Sequence, residues 1–274
     1  MKRVFYITVF VICVCSSCGQ TQAQKQHTTP MKPWNISIYL DLSDRLVHGQ
    51  GEPQMQRDTA IISYIIEAYK SNVIKRKIVP CEDKFQVFFY PTAGIANASA
   101  VSQSLQLNLK ELNPQPAEKK KKLQTMQADM LSTIAPIYDN ALQNKQWLGS
   151  DIWGFFQKKI TYSCIENGYR NILIILTDGY IYHKNSAQKK GNNEYSYILP
   201  SNINVPNMKL IPCGVDLQDL EVLFLEVNPS QFQHAEKIQQ TIGDWLKAMG
   251  VTHYDIIETD VTANITPAIK RFLQ

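Results

Sequence analysis

The stretch Asn171-Ile172-Leu173-Ile174-Ile175-Leu176-Thr177, closed by Asp178-Gly179, decides the fold. Five consecutive branched aliphatic residues leave no polar side for solvent, so the segment reads as a strand apolar on both faces. Such a strand belongs at the centre of a parallel sheet with helices on either side. The flanking segments agree. Ile36 to Leu40 is a short β-branched run that ends at Asp41, and Phe85 to Tyr90 is another, stopped by Pro91. Leu105, Leu107 and Leu109 alternate with polar residues, which predicts a half-exposed, antiparallel edge strand. Lys209 to Cys213, Leu220 to Val227 and Tyr254 to Glu258 read as further strands.

Helical spacing fills the intervals. Ile61, Ile62, Ile65, Ile66 and Tyr69 share one face of a helix over 58–72, and Ile238, Ile242, Trp245, Leu246 and Met249 one face of a helix over 234–249, which Gly250 ends. Ala263 to Leu273 is a last helix. The segment 113–147 is helical in composition, with a run Lys119 to Lys122 read as a solvated face, and Pro136 predicts a break into two helices. Ser150 or Asp151 caps a helix carrying Ile152, Phe155, Phe156 and Ile160. The segment 183–201 is polar and reads as a long surface loop. The expected fold class is α/β: a doubly wound, mostly parallel sheet with one antiparallel edge strand and helices on both faces, covering residues 35–274, with 113–147 as a helical insertion.

The N-terminus is of another kind. Lys2 and Arg3 precede an apolar run from Val4 to Val14, interrupted only by Thr8. Eleven residues are too few to span a bilayer core, which takes about 20, so residues 1–17 read as a signal peptide. Small residues, then Cys18, then an abrupt polar switch resemble the bacterial lipoprotein signal, with Cys15 standing where that signal usually has an aliphatic residue. The resemblance implies cleavage before Cys18, lipidation of its thiol, a tether over 18–34, and a lipid-anchored protein of the cell envelope facing the periplasm or the cell surface. Of the 28 basic and 24 acidic residues, Lys2 and Arg3 leave with the signal, and 26 − 24 gives +2. So small a charge is no nucleic-acid footprint. Cys81, Cys164 and Cys213 remain, an odd number with no metal-binding spacing, and read as buried thiols. His27, His48, His234 and His253 form no i,i+4 pair, so zinc has no support. Trp34, Trp147, Trp153 and Trp245 read as packing residues.

In an open α/β sheet, ligands bind beyond the carboxyl ends of the strands. Two strands end in aspartate there, Asp41 and Asp178, with Ser43 on the first loop and Ser150 at the start of a helix. Converging carboxylate and hydroxyl oxygens suit a hard cation, Mg²⁺ first. Each of these residues also has an ordinary use as a cap or turn residue.

Asp41-Leu42-Ser43-Asp44-Arg45, Gly149-Ser150-Asp151 and Thr177-Asp178-Gly179 together resemble, in order and spacing, the three motifs of the von Willebrand factor type A (vWA) family. The resemblance covers about residues 36–274. It implies a metal-ion-dependent adhesion site in which Asp41, Ser43, Ser150 and Asp178 hold Mg²⁺ and an acidic side chain of a protein partner completes the coordination. Such a module binds and does no chemistry. Arg45 stands where the family has a second serine. A guanidinium about 4 Å from a divalent ion is repelled by roughly 8 kcal/mol at an effective dielectric of about 20. Arg45 is therefore expected either to turn outward to solvent or to take the cation's place between Asp41 and Asp178, which would make the chain a metal-free scaffold lipoprotein. Arg45, Asp151, Tyr180, Tyr182 and His183 are the expected partner-contact residues. An aspartate-dependent phosphohydrolase is the least supported reading, because Ser43 occupies the position of its second aspartate and no general acid is in place.

Overall fold

In a computed structural model, residues 31–48, 52–92, 95–144, 149–258 and 262–274 are described. The signal segment, Cys18, most of the tether and Trp147 lie outside them. In chain order the elements are β1 (Trp34–Leu40), α1 (Arg45–His48), α2 (Gln54–Lys75), β2 (Lys84–Phe88), α3 (Ala98–Ser104), β3 (Gln106–Asn108), α4 (Pro116–Asn144), β4 (Gly149–Ser150), α5 (Ile152–Lys158), α6 (Ile160–Cys164) and β5 (Arg170–Leu176). There follow β6 (Tyr182–His183), β7 (Lys189–Lys190), β8 (Glu194–Tyr195), β9 (Lys209–Leu210), β10 (Leu220–Leu225), α7 (Ala235–Ala248), β11 (Tyr254–Ile256) and α8 (Thr262–Leu273).

Six strands form one sheet in the order β11-β10-β5-β1-β2-β3. All its neighbouring pairs are parallel except β2 with β3, the antiparallel edge that the leucine alternation predicts. β5 is central and both its faces are covered. Ile172, Ile174 and Leu176 join Ile36, Ile38 and Leu40 beneath α2, α4 and α8. Leu173 and Ile175 join Tyr39, Val222 and Phe224 beneath α5 and α7. Each fully buried aliphatic side chain contributes about 1.5–3 kcal/mol, which is why an all-apolar strand takes the one place where both faces are dry.

Several expectations need correction. The segment 113–147 holds one helix, α4, which runs through Pro136. A proline inside a helix costs about 3 kcal/mol or more. Here Ile134 on one side and Ile137 and Tyr138 on the other are all buried in the same core, and that burial, not local propensity, keeps the helix continuous. Within the lysine run, Lys120 to Lys122 are exposed but Lys119 is fully buried. Its ammonium donates to the carbonyls of Val79 at 2.9 Å and Cys81 at 2.7 Å and to Asn113 Oδ1 at 2.5 Å. The segment 183–201 is no plain surface loop. It contributes to β6, which pairs with β4, and supplies β7 and β8, which pair with each other, β8 pairing also with β9, and it buries His183, Tyr195, Ser196 and Ile198.

The helix expected after Asp151 breaks at Lys159 into α5 and α6. Trp153 and Trp245 are buried and Trp34 is half-buried. Cys81, Cys164 and Cys213 are free thiols, the first two buried, and burial raises all three above the usual thiol range.

Candidate functional site

The three central strands stop level with one another. Leu40 pairs with Leu176 and Leu225 pairs with Leu176 on the other side. The next amides continue the ladder: Asp41 N–H donates to Leu176 O at 3.1 Å, and Thr177 N–H to Leu225 O at 3.2 Å. Asp41, Thr177-Asp178 and Glu226 therefore come off adjacent strands at the same carboxyl rim. The register sets Asp41 beside Thr177. Asp41 Oδ2 accepts the Thr177 hydroxyl at 2.7 Å, while Oδ1 accepts the Ser43 amide at 2.8 Å. Asp41 is fully buried.

Asp178 is half-buried and accepts the Tyr180 amide at 3.0 Å. Burial pushes its carboxyl up to about 7, and the neighbouring Asp41 carboxylate adds to the rise. Two carboxylates facing one another favour whatever brings positive charge between them, a proton or a cation. Gly179 makes the turn possible. Its φ is +93°, and a Cβ there would meet Val227 Cγ1 at 2.7 Å and Ile238 Cγ2 at 2.8 Å. The Thr-Asp-Gly sequence is thus required locally: threonine to hold Asp41, aspartate for the turn, glycine for the close approach.

Arg45 takes neither expected orientation. It is 3 % exposed, and its guanidinium faces inward, to the side of α2 and β10. Nε donates to the backbone carbonyl of Asp41 at 2.8 Å, Nη2 to Asp58 Oδ2 at 2.7 Å and Nη1 to Glu226 Oε2 at 3.2 Å. Gln54 Nε2 bridges Asp58 Oδ1 at 2.8 Å and Glu226 Oε2 at 2.7 Å, Arg57 Nε donates to Glu226 Oε1 at 3.2 Å, and the Tyr138 hydroxyl donates to Asp58. The result is a buried network of two arginines and two acids beneath the rim. Burial pushes Glu226 up to about 8, with Asp58 raising it further and Arg45 and Arg57 opposing.

Ser150 and Asp151 reach the same rim from another direction. The Asp151 amide donates to Tyr90 O at 3.3 Å. The Tyr39 hydroxyl donates to Tyr90 O at 2.8 Å, so at its 2.9 Å contact with Ser150 the serine hydroxyl is the donor. Burial holds the Tyr39 hydroxyl well above its ordinary range, with Asp41 and Asp151 adding. Asp151 is the helix cap: its Oδ1 accepts the Gly154 amide at 2.9 Å and the Ser186 hydroxyl. His183 lies 3.6 Å from Asp151 Oδ2, buried at 6 % exposure.

Of the five expected contact residues, Arg45, Asp151 and His183 are therefore interior supports rather than surface groups. Tyr180 and Tyr182 stay half-exposed. Glu226 and Asp58 were missed, although both leave a trace in the sequence. Glu226 follows a strand as Asp41 does, and Asp58 sits at i−3 and i−4 from Ile61 and Ile62, on the apolar face of α2.

Asp41, Asp178, Ser43 and Ser150 present hard oxygen donors of the kind Mg²⁺ takes. The charge of Arg45 is paired with Asp58 at 2.7 Å, and its Nη1 donates to Glu226 Oε2, so the repulsion expected from its sequence position is offset locally. Among the described residues no group of three or more His, Cys, Asp or Glu is arranged to hold a metal, so a cation here would depend on the serine hydroxyls as well.

No protein-family model matches the chain, and no curated protein sequence matches it. Among solved structures, the pilus adhesin SpaC from Lactobacillus rhamnosus GG is similar to it with a TM-score of 0.42 and 12 % identity, over 89 % of this chain and 31 % of that one. The chain thus spans under a third of that protein's length.

Proposed function

We propose that this chain is a vWA-like, doubly wound module that binds a protein partner at the carboxyl rim around Asp41 and Asp178, held at the cell envelope by a lipidated Cys18. The observation that carries this reading is the Asp41–Asp178 pair. The two carboxylates leave the ends of adjacent central strands, and the Asp41 carboxylate is close enough to add to the rise that burial gives Asp178, so a cation between them would relieve their repulsion. In this reading Asp41, Ser43, Ser150 and Asp178 hold Mg²⁺, which when bound supplies an open coordination position for a partner's carboxylate. Thr177 orients Asp41, and Tyr180 and Tyr182 flank the rim with half-exposed aromatic surface of the kind that anchors interfaces. The envelope location rests on the signal and on Cys18. Among the described residues no helix is long and apolar enough to cross a membrane.

Calorimetric titration of the purified protein with Mg²⁺ and Mn²⁺ tests the adhesion-site reading. Heat that disappears in Asp41→Ala is expected, and no heat with either ion overturns it. The internal neutralisation of Arg45 favours one second reading, a metal-free scaffold of an envelope complex in which a proton on Asp178 does the cation's work. The two separate on chelation: partner capture by crosslinking in intact cells that survives EDTA supports the scaffold. Neither reading includes catalysis, and hydrolysis of p-nitrophenyl phosphate that is lost in Asp41→Asn would overturn both.

A further inference from the structure

A cavity of about 740 Å³ opens between α7 and the segment 203–212. Its charged lining is balanced: Lys209 and Lys237 against Glu194 and Asp244. Glu194 and Lys209 are register partners on β8 and β9 and so come off neighbouring strands side by side. The other two charges stand apart on α7, where Lys237, Thr241 and Asp244 fall at i, i+4 and i+7 on one helical face. Seven residues at 1.5 Å each separate the two Cα positions by about 10 Å along the axis. An extended chain of three residues spans about 10 Å.

We propose that this cavity binds a short zwitterionic peptide of about three residues, its free carboxylate at Lys237 and its free ammonium at Asp244. The direction follows from the helix. Lys237 is in the first turn of α7, the positive end of the helix dipole, which favours an anion. Met208 and the buried ring of Trp245 provide apolar wall for the middle side chain, and the Trp245 indole is fixed by its 3.0 Å bond to Ile211 O.

Lys237 is a positioned group. Its Nζ donates to Asn204 Oδ1 at 2.8 Å. A lysine ammonium can only donate, so Asn204 Oδ1 is the acceptor and its Nδ2 is left to donate to His234 Nε2 at 3.1 Å. His234, 2 % exposed, thereby accepts at Nε2, and its Nδ1 faces the Tyr180 hydroxyl at 2.9 Å. A chain of hydrogen bonds anchored on the buried His234 thus aims the exposed ammonium. Among the described residues Asp244 forms one long ion pair, 3.9 Å to Lys247, with both side chains largely exposed, which leaves its carboxylate open to solvent.

The test is calorimetric titration of the purified protein with alanyl-leucyl-alanine, with both ends free, N-acetylated or C-amidated. Blocking either end should weaken binding at least tenfold. Lys237→Met should abolish the penalty for amidation and keep that for acetylation, and Asp244→Asn should do the reverse. Both side chains are exposed, so unchanged thermal midpoints are expected and show that the variants are folded. No heat at millimolar free peptide, equal affinity for free and blocked peptides, or wild-type affinity in both variants overturns the proposal. Asp41→Ala should leave peptide binding unchanged, which keeps the outcome separate from that at the rim.

Discussion

Arg45 and Asp58, thirteen residues apart, form an ion pair of 2.7 Å with 3 % and 0 % of their side chains exposed. The pair explains how an arginine can stand at the start of α1, at the end of the loop after β1, without filling the space between the rim carboxylates. It also ties that loop to α2 and, through the Tyr138 hydroxyl on Asp58, to α4. The rim is thus braced from below by the helix that the sequence marks as an insertion.

Removing the arginine leaves Asp58 buried without its main counter-charge. Breaking a buried pair from one side costs about 3–5 kcal/mol. Arg45→Met should lower unfolding free energy by that amount in urea titration, and Arg45→Met combined with Asp58→Asn should recover at least half of the loss. A loss under about 1 kcal/mol would contradict the burial of the network.

The four lysines of the run should behave unequally. Lys119 makes three hydrogen bonds from a buried ammonium, and bonds to charged groups are worth about 1.5–3 kcal/mol each. Lys119→Ala should cost at least about 2 kcal/mol by denaturant titration, whereas Lys120→Ala and Lys121→Ala should lie within about 0.5 kcal/mol of wild type, as exposed positions do.

Glu226 sets a pH dependence of stability. Its pKa is about 8 when folded against an ordinary 4.5, so between those values the folded state holds the proton and the unfolded state does not. Stability from this group is fully present below the unfolded value and falls as pH rises towards 8. Thermal midpoints measured from pH 5 to pH 8.5 should therefore decline, and Glu226→Gln, which carries no titrating proton, should flatten the decline. An unchanged slope would show that Glu226 stays ionised.

Asp151 caps α5 and holds Ser186. Asp151→Ala should cost about 1–2 kcal/mol, as for other lost caps, whereas Asp151→Asn should retain more than half of the stability in the same urea titration.

Much of this architecture is legible along the chain. An all-apolar strand at 171–177 requires cover on both faces and so a central place; the period-two leucines at 105–109 require an edge; and the aspartates after β1 and β5 follow to the same rim once those strands are parallel neighbours. Hydrophobic periodicity reports these things because it measures which sides of a segment must leave water. Lys119 was legible too, at i−4 from Leu123 and i−7 from Met126, but a run of four lysines hides the one that points inward.

Only the tertiary structure decides where charges end. Arg45 finds Asp58 and Glu226, thirteen and 181 residues away, and His183 and Asp151 are buried beside an antiparallel pairing of β4 with β6 that neither two-residue strand announces. Periodicity fixes which face of an element is dry, whereas the partner of a buried charge depends on which distant segments the packing brings within about 3 Å of it.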